Sequence, residues 1–174
     1  MNLSGSTEPA VTLVLGGTRS GKSAVAERLT AEVGRTTGSA VTYLATASVY
    51  DDDMARRVAL HRARRPAEWA TVELGEPEQL PEILLGIEGA VLLDSLGTWL
   101  ASCPDFVVDA GSLGAALQSR AGQTVVVSEE VGLAVHPPTP VGRAFTDALG
   151  SLNQAIAAVA DRAVLVVAGR ILEL

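Results

Sequence analysis

Gly16-Gly17-Thr18-Arg19-Ser20-Gly21-Lys22-Ser23 matches the phosphate-binding pattern G-x-x-x-x-G-K-[ST] at every fixed position. The segment directly follows the aliphatic run Val11–Leu15. Lys22 is the one lysine among thirteen basic residues. A lysine supplies a compact point charge here, whereas the planar guanidinium of arginine fits a tight ring of backbone N–H groups poorly. The pattern therefore predicts a nucleoside triphosphate site, and a chance match is the alternative.

The composition favours a single domain built around a parallel sheet. Apolar residues make up 48% of the 174 residues but aromatic residues only 3%. The core must therefore consist of aliphatic side chains, which is typical of strands that are buried on both faces. We expect one domain over residues 10–174, preceded by a disordered tail over residues 1–9.

Charge and cysteine content exclude several classes of protein. The net charge of −7 argues against general nucleic-acid binding, which needs a basic surface. The single cysteine, Cys103, cannot form an internal disulfide and fits a reducing cytoplasm. No apolar run approaches the roughly twenty residues of a membrane span. We expect a cytoplasmic protein with neither nucleic acid nor membrane as its partner.

Patterns of strands and helices alternate along the chain. The predicted strands span residues 11–15, 40–44, 69–74, 89–94, 124–128 and 163–168, and we expect no strand after them. The predicted helices span residues 22–33, 77–85, 112–120 and 141–160, and a further helical pattern begins near Asp51 and ends before Pro66. Residues 34–39 and 102–111 have loop patterns. This order indicates right-handed crossovers and a mainly parallel sheet with helices on both faces. We predict the α/β fold of a P-loop NTPase (RecA-like).

The phosphate loop also predicts a metal site. In such a sheet, ligands gather beyond the carboxyl ends of the strands, so the N–H groups of the loop point at the phosphates. Lys22 is expected to reach the β- and γ-phosphates, and the Ser23 hydroxyl is expected to ligate Mg²⁺. Because a metal held by phosphates needs a further acidic ligand, Asp94 is the candidate, since it ends the buried run Val91–Leu93. The alternative is that Asp94 caps a helix or turn.

Residues 56–65 concentrate five arginines around His61 in an otherwise acidic chain. A solvated charged face is the ordinary interpretation of such a run. However, neighbouring positive charge disfavours the imidazolium and keeps the ring of His61 neutral and nucleophilic. The same arginines can neutralise a triphosphate. The pattern permits a nucleophile at His61 without requiring one.

Together these motifs resemble the bifunctional adenosylcobinamide kinase and adenosylcobinamide-phosphate guanylyltransferase family of cobalamin biosynthesis. The resemblance covers residues 11–169. It is carried by the phosphate loop and by Tyr43-Leu44-Ala45-Thr46-Ala47, Asp52-Asp53-Met54-Ala55-Arg56-Arg57, His61-Arg62, Arg65-Pro66, Trp69, Ser128-Glu129-Glu130-Val131-Gly132, Gly142-Arg143-Ala144-Phe145, Asp147, Gly150 and Asn153-Gln154.

The resemblance implies two reactions. The first transfers the γ-phosphoryl group of ATP or GTP to the aminopropanol hydroxyl of adenosylcobinamide. In the second, His61 attacks the α-phosphate of GTP, and the resulting guanylyl-histidine passes GMP to adenosylcobinamide phosphate, which yields adenosylcobinamide-GDP. The implied GTP contacts are Thr46, Ala47, Ser48, Arg62, Ala63, Arg64, Arg65, Glu73 and Asp94, in addition to the phosphate loop. Members are homotrimers, so the resemblance also implies a homo-oligomer.

The chain departs from the family pattern at a few positions. Relatives often carry Asn where this chain has Glu129, which leaves the role of that position open, and some carry Glu in place of Asp94. Leu60 stands where a second histidine often precedes the nucleophile. Glu73 can also be an exposed strand carboxylate, and His136, in a Pro-rich loop, is expected at the surface.

Two other functions fit parts of the sequence. One is a phosphate-loop kinase of another metabolite, in which His61 is structural. The other is an ATP-driven RecA-like or regulatory nucleotide-binding protein without a small-molecule acceptor, although the acidic chain offers no basic stripe for DNA.

Overall fold

The computed structural model describes residues 11–46 and 65–174. These residues form one seven-stranded sheet in the order β3-β2-β4-β5-β1-β6-β7. The strands are β1 Val11–Gly16, β2 Val41–Ala45, β3 Ala70–Glu73, β4 Ala90–Asp94, β5 Thr124–Glu129, β6 Arg162–Val167 and β7 Arg170–Glu173. All pairs among β1 to β6 are parallel, as the sequence predicted. The predicted α/β fold of a P-loop NTPase is confirmed.

The expectation that the chain has no strand after residues 163–168 is wrong, because β7 folds back antiparallel on β6. Ala168 and Gly169 connect the two strands, and both have positive φ, 49° and 75°. Two residues with positive φ form the turn whose twist suits a tight hairpin. Alanine seldom adopts this conformation, so Ala168-Gly169 is not a recognisable hairpin signal in the sequence.

The helices are α1 Lys22–Thr37, α2 Leu80–Gly86, α3 Leu96–Ser102, α4 Ala110–Ser119 and α5 Pro140–Ala157, with short 3₁₀ turns at Pro77–Gln79 and Pro104–Phe106. None of the helices within residues 11–46 and 65–174 is both long and apolar enough to cross a membrane.

Two helices differ from the prediction. α1 extends four residues beyond Val33, into the segment predicted as a loop, and ends at Gly38, whose φ is 68°. The hydroxyl of Thr37 donates to the Val33 carbonyl and holds this last turn. α3 was not predicted, since seven residues show too little periodicity. Its start is fixed by a capping box of Ser95 and Thr98.

The core lies on both faces of the sheet. Because successive side chains of a strand point to opposite faces, Leu13 and Leu15 of β1 join one apolar cluster and Val14 joins another. α1 packs over the Val14 face, and helices α3 to α5 cover the Leu13 face. The central strands are therefore buried on both sides, and their carboxyl ends meet at one edge, which we call the carboxyl edge.

One buried cation holds the opposite edge together. Arg120 is 2% exposed and follows α4. Its guanidinium donates to five backbone carbonyls and one hydroxyl, at 2.8 to 3.4 Å: those of Leu84, Ile87, Gly89, Gly122, Gln123 and Thr124. Burial lowers the pKa of Arg120 from its usual value. The side chain thus links the chain segments that lead into β4 and β5.

Candidate active site

The phosphate loop runs from the end of β1 to the start of α1 at the carboxyl edge. Two of its residues, Arg19 and Gly21, have positive φ, 58° and 93°. Gly169 donates its N–H to the Ser20 carbonyl at 2.7 Å, which fastens the loop to the β6–β7 turn. A Cβ on Gly16 would lie 2.4 Å from Ser20 Oγ and 2.9 Å from the Val166 carbonyl oxygen, so only glycine fits there. The loop geometry thus explains the glycines of the motif.

The first turn of α1 is open to an anion. Gly21 is its N-cap and has no side chain to accept hydrogen bonds from the N–H groups that follow. Such groups attract a phosphate, because they carry partial positive charge and lack partners within the helix. Lys22 Nζ lies 3.5 Å from the Gly17 carbonyl oxygen, so its ammonium folds back over the loop. The motif residues Gly16, Gly21, Lys22 and Ser23 thus lie where β1 ends and α1 begins, at the carboxyl edge.

Glu129, at the end of β5, faces the same lysine. Its Oε1 lies 3.5 Å from Lys22 Nζ, with 12% of the lysine side chain and 29% of the glutamate side chain exposed. Ser95 Oγ lies 3.2 Å from each carboxylate oxygen of Glu129. The Lys22 ammonium and the Ser95 hydroxyl together hold this carboxylate beside the phosphate loop. The sequence analysis leaves the role of Glu129 open, because a charge at the end of a buried strand does not show what it contacts.

Asp94 ends β4, two strands away from β1. The hydroxyl of Tyr43 donates to Asp94 Oδ2 at 3.0 Å. Tyr43 is 7% exposed, and burial raises its pKa far above the usual value, with a further contribution from the Asp94 charge. The phenol therefore stays protonated and remains a hydrogen-bond donor. Asp94 is oriented by this bond, and Ser95, not Asp94, caps α3.

Ser23 and Asp94 fit a magnesium ion by chemistry and placement. Hydroxyl and carboxylate oxygens are the hard ligands that Mg²⁺ prefers. Ser23 is the second residue of α1, which packs across β4 and β5, and Asp94 lies at the carboxyl end of β4. Within residues 11–46 and 65–174 there is no group of three His, Cys, Asp or Glu that could hold a metal by itself. A metal here would therefore depend on phosphate oxygens for most of its ligands.

We call residues 56–65 the arginine segment. Of its five arginines, the structure describes Arg65. Its guanidinium carbon lies 3.6 Å from the centre of the Tyr43 ring, which is a cation–π contact. The same tyrosine thus contacts Asp94 with its hydroxyl and Arg65 with its ring. This arrangement fixes the end of the arginine segment next to the predicted nucleotide site. His61, Arg62, Ala63, Arg64, Ala47 and Ser48 lie outside the described residues, as does the tail.

Thr46 follows β2, and Glu73 is the last residue of the neighbouring strand β3. Thr46 is 3% exposed, and its hydroxyl donates to the Ser95 carbonyl at 2.7 Å while it accepts the Ser95 N–H at 2.8 Å. Its side chain is therefore engaged in holding the β4–α3 junction. Glu73 pairs with Ala45 in the register of β2 and β3, and it is exposed at the outer strand. His136 is exposed, as expected.

A cavity of about 310 Å³ adjoins the carboxyl edge on the face away from α1. Leu15, Glu130 and Val131 line it from the sheet side, and Asn153, Gln154 and Ala157 line it from α5. Asn153 is also tied to β5, because its Nδ2 donates to the Glu129 carbonyl and its Oδ1 accepts from Ser128 Oγ. The carboxyl edge therefore has an open cavity next to the phosphate loop.

The comparison with known families agrees with this geometry. The family model described as "Cobinamide kinase / cobinamide phosphate guanyltransferase" matches residues 12–174. The chain belongs to this family. It is therefore an enzyme, a cobinamide kinase and cobinamide phosphate guanyltransferase of cobalamin biosynthesis.

Relatives and solved structures support the family and the fold. The bifunctional adenosylcobalamin biosynthesis protein CobP of Pseudomonas aeruginosa is 43% identical over 166 residues, which cover 90% of this chain and 92% of that protein. CobU of Escherichia coli is 34% identical over 177 residues, with 90% and 95% covered. The KaiC-like protein PH0186 of Pyrococcus horikoshii has a TM-score of 0.58 at 13% identity, over 91% of this chain and 71% of that one. FlaH of Methanocaldococcus jannaschii has a TM-score of 0.54 at 13% identity, over 93% and 74%. These two structures share the fold alone.

Proposed function

We propose that this cobinamide kinase and guanyltransferase uses adenosylcobinamide as its acceptor and His61 as a covalent nucleophile. In the kinase step the aminopropanol hydroxyl attacks the γ-phosphorus of ATP or GTP, and the bond between that phosphorus and the β–γ bridging oxygen breaks. In the second step the His61 imidazole attacks the α-phosphorus of GTP and releases pyrophosphate. An oxygen of adenosylcobinamide phosphate then attacks the same phosphorus, which frees His61 and yields adenosylcobinamide-GDP.

One observation carries the proposal. Lys22 Nζ lies over the phosphate loop at the carboxyl edge, with Glu129 at 3.5 Å. A triphosphate at the open first turn of α1 would draw this ammonium to its β- and γ-phosphates, where it offsets charge that develops during phosphoryl transfer. Ser23 and Asp94 would hold Mg²⁺, which neutralises phosphate charge when bound. The remaining loop residues would contact the triphosphate through their backbone.

The arginine segment supports the guanylyl step. Arg65 on Tyr43 brings the end of this segment to the strand that precedes Thr46. Arg62, Arg64 and Arg65 would neutralise the triphosphate while His61 attacks. The family resemblance supports further GTP contacts at Thr46, Ala47, Ser48, Ala63, Glu73 and Asp94. We also propose a cytoplasmic homo-oligomer, a trimer by family resemblance.

Product analysis tests the proposed function. The purified chain is incubated with adenosylcobinamide, GTP and Mg²⁺, and the corrinoid products are separated by mass. We expect adenosylcobinamide phosphate first and adenosylcobinamide-GDP later. Lys22→Ala should abolish the first product, because the transition state loses its lysine charge. Arg28→Ala is the matched control, since it removes a positive charge from an exposed position of the same helix.

The products also separate the alternatives. Accumulation of the phosphate without any GDP derivative would leave a kinase and contradict the guanylyl step. Full kinase turnover in Lys22→Ala would contradict the assignment of the phosphate loop.

A further inference from the structure

The backbone of Glu129 is locked against the first residue of the phosphate loop. Glu129 is the register partner of Gly16 in the parallel pair of β1 and β5. The next residue, Glu130, donates its N–H to the Gly16 carbonyl at 3.1 Å. Asn153 Nδ2 donates to the Glu129 carbonyl at 3.0 Å. Position 129 therefore keeps a fixed distance from the loop.

The Glu129 side chain is equally well placed. Ser95 Oγ lies 3.2 Å from both of its oxygens, and Lys22 Nζ lies 3.5 Å from Oε1. Gly97 of α3 leaves the space that the carboxylate fills, because a Cβ there would lie 2.0 Å from Glu129 Oε2. With 29% of the side chain exposed, the carboxylate can still be reached by a substrate.

Hydrogen-bonding chemistry limits what this carboxylate can bind. An ionised carboxylate only accepts hydrogen bonds, and so do the oxygens of an ionised γ-phosphate. Glu129 therefore cannot hold the phosphate itself, and when Lys22 moves to the triphosphate its carboxylate has room to accept one donor in addition to Ser95 Oγ. A kinase brings one further donor to this place, the hydroxyl that attacks the γ-phosphorus.

We propose that Glu129 is the catalytic base of the kinase step. This inference rests on the proposed function and adds a residue to it. Glu129 accepts a hydrogen bond from the acceptor hydroxyl and takes its proton as the new oxygen–phosphorus bond forms. The electron pair of the breaking bond stays on the β-phosphate of the leaving nucleotide, and Glu129 later returns the proton to water.

The guanylyl step provides an internal comparison, because attack by His61 on GTP involves no acceptor hydroxyl. Two rates are measured for each variant: kinase turnover with ATP and adenosylcobinamide, and guanylylation with GTP alone. In Glu129→Gln we expect the ratio of kinase to guanylylation rates to fall about 100-fold, at the low end of general-base effects since the amide still orients the hydroxyl. The KM for ATP should not rise, because Lys22 loses a competing partner. Glu129→Asp should recover part of the turnover.

Glu88→Gln is the matched control, since Glu88 is exposed and precedes β4 at the opposite edge of the sheet. This variant should keep the wild-type ratio. Unchanged kinase turnover in Glu129→Gln would overturn the inference, and so would an equal loss of both rates, which would indicate a role in nucleotide binding or folding. A wild-type chain that never phosphorylates adenosylcobinamide would overturn the proposed function and this inference with it. An active wild type with an equally active Glu129→Gln would overturn this inference alone.

Discussion

Arg120 is the side chain whose loss should cost the most stability without touching the carboxyl edge. Its guanidinium makes six hydrogen-bond contacts, five of them to backbone carbonyls, and is 2% exposed. Arg120→Met would fill much of the same volume but leave those carbonyls buried without a donor. Hydrogen bonds to a charged group each contribute about 1.5–3 kcal/mol, and the values are not additive.

For such a buried network we expect Arg120→Met to lower the free energy of unfolding by about 3–5 kcal/mol. At this chain length that corresponds to a drop in Tm of roughly 10 °C. The free energy of unfolding of Arg120→Lys should lie between those of the wild type and Arg120→Met, since an ammonium has only three donors. Urea unfolding followed by circular dichroism measures the change, and Arg35→Met, which removes an exposed arginine that pairs with Glu32, should leave it unaltered. A loss below about 1 kcal/mol in Arg120→Met would refute this reasoning, because that is the size of one ordinary hydrogen bond.

Two further predictions concern the carboxyl edge. Tyr43→Phe removes the donor to Asp94 but keeps the ring under Arg65, so Mg²⁺ titration of the kinase reaction should show apparent metal affinity weakened about tenfold, from one charged hydrogen bond. Tyr43→Leu should in addition slow guanylylation, and identical behaviour of the two variants would contradict the ring's role. Gly97→Ala should displace the Glu129 carboxylate, so turnover assays should show kinase activity reduced about 10- to 100-fold. Thermal unfolding should hardly change, since alanine suits a helix and only a flexible side-chain end must move; wild-type turnover would count against the placement of Glu129.

The sequence predicted those parts of the fold that local chemistry determines. The phosphate loop after Val11–Leu15 located β1 and α1, and aliphatic runs such as Val91–Leu93 located the buried strands. β7 and α3 were missed for different reasons. The β6–β7 turn uses Ala168 at positive φ, an unusual residue for it, and α3 is too short for a helical period to appear.

The motif of the candidate site could be predicted from the sequence. The contacts between residues that lie far apart in the sequence could not. Lys22, Ser23 and Asp94 follow from spacing and from their position at strand ends. Tyr43 and Glu129 gain their importance only from contacts with residues far away in sequence, which no local pattern reports. The Tyr43 contact depends on the pairing of β2 with β4, and the Glu129 contacts depend on the register of β5 against β1 and on the position of α3.

Intact-protein mass shows directly whether the chain stores GMP on His61, the step that distinguishes it from a kinase alone. The wild-type chain and His61→Ala are incubated with GTP and Mg²⁺ without acceptor. The intact mass of each protein is then measured before and after treatment with mild acid. We expect that the wild type gains the mass of one GMP, that acid removes it, and that His61→Ala gains nothing. An unmodified wild type under every condition, or an equal adduct on His61→Ala, would contradict the account.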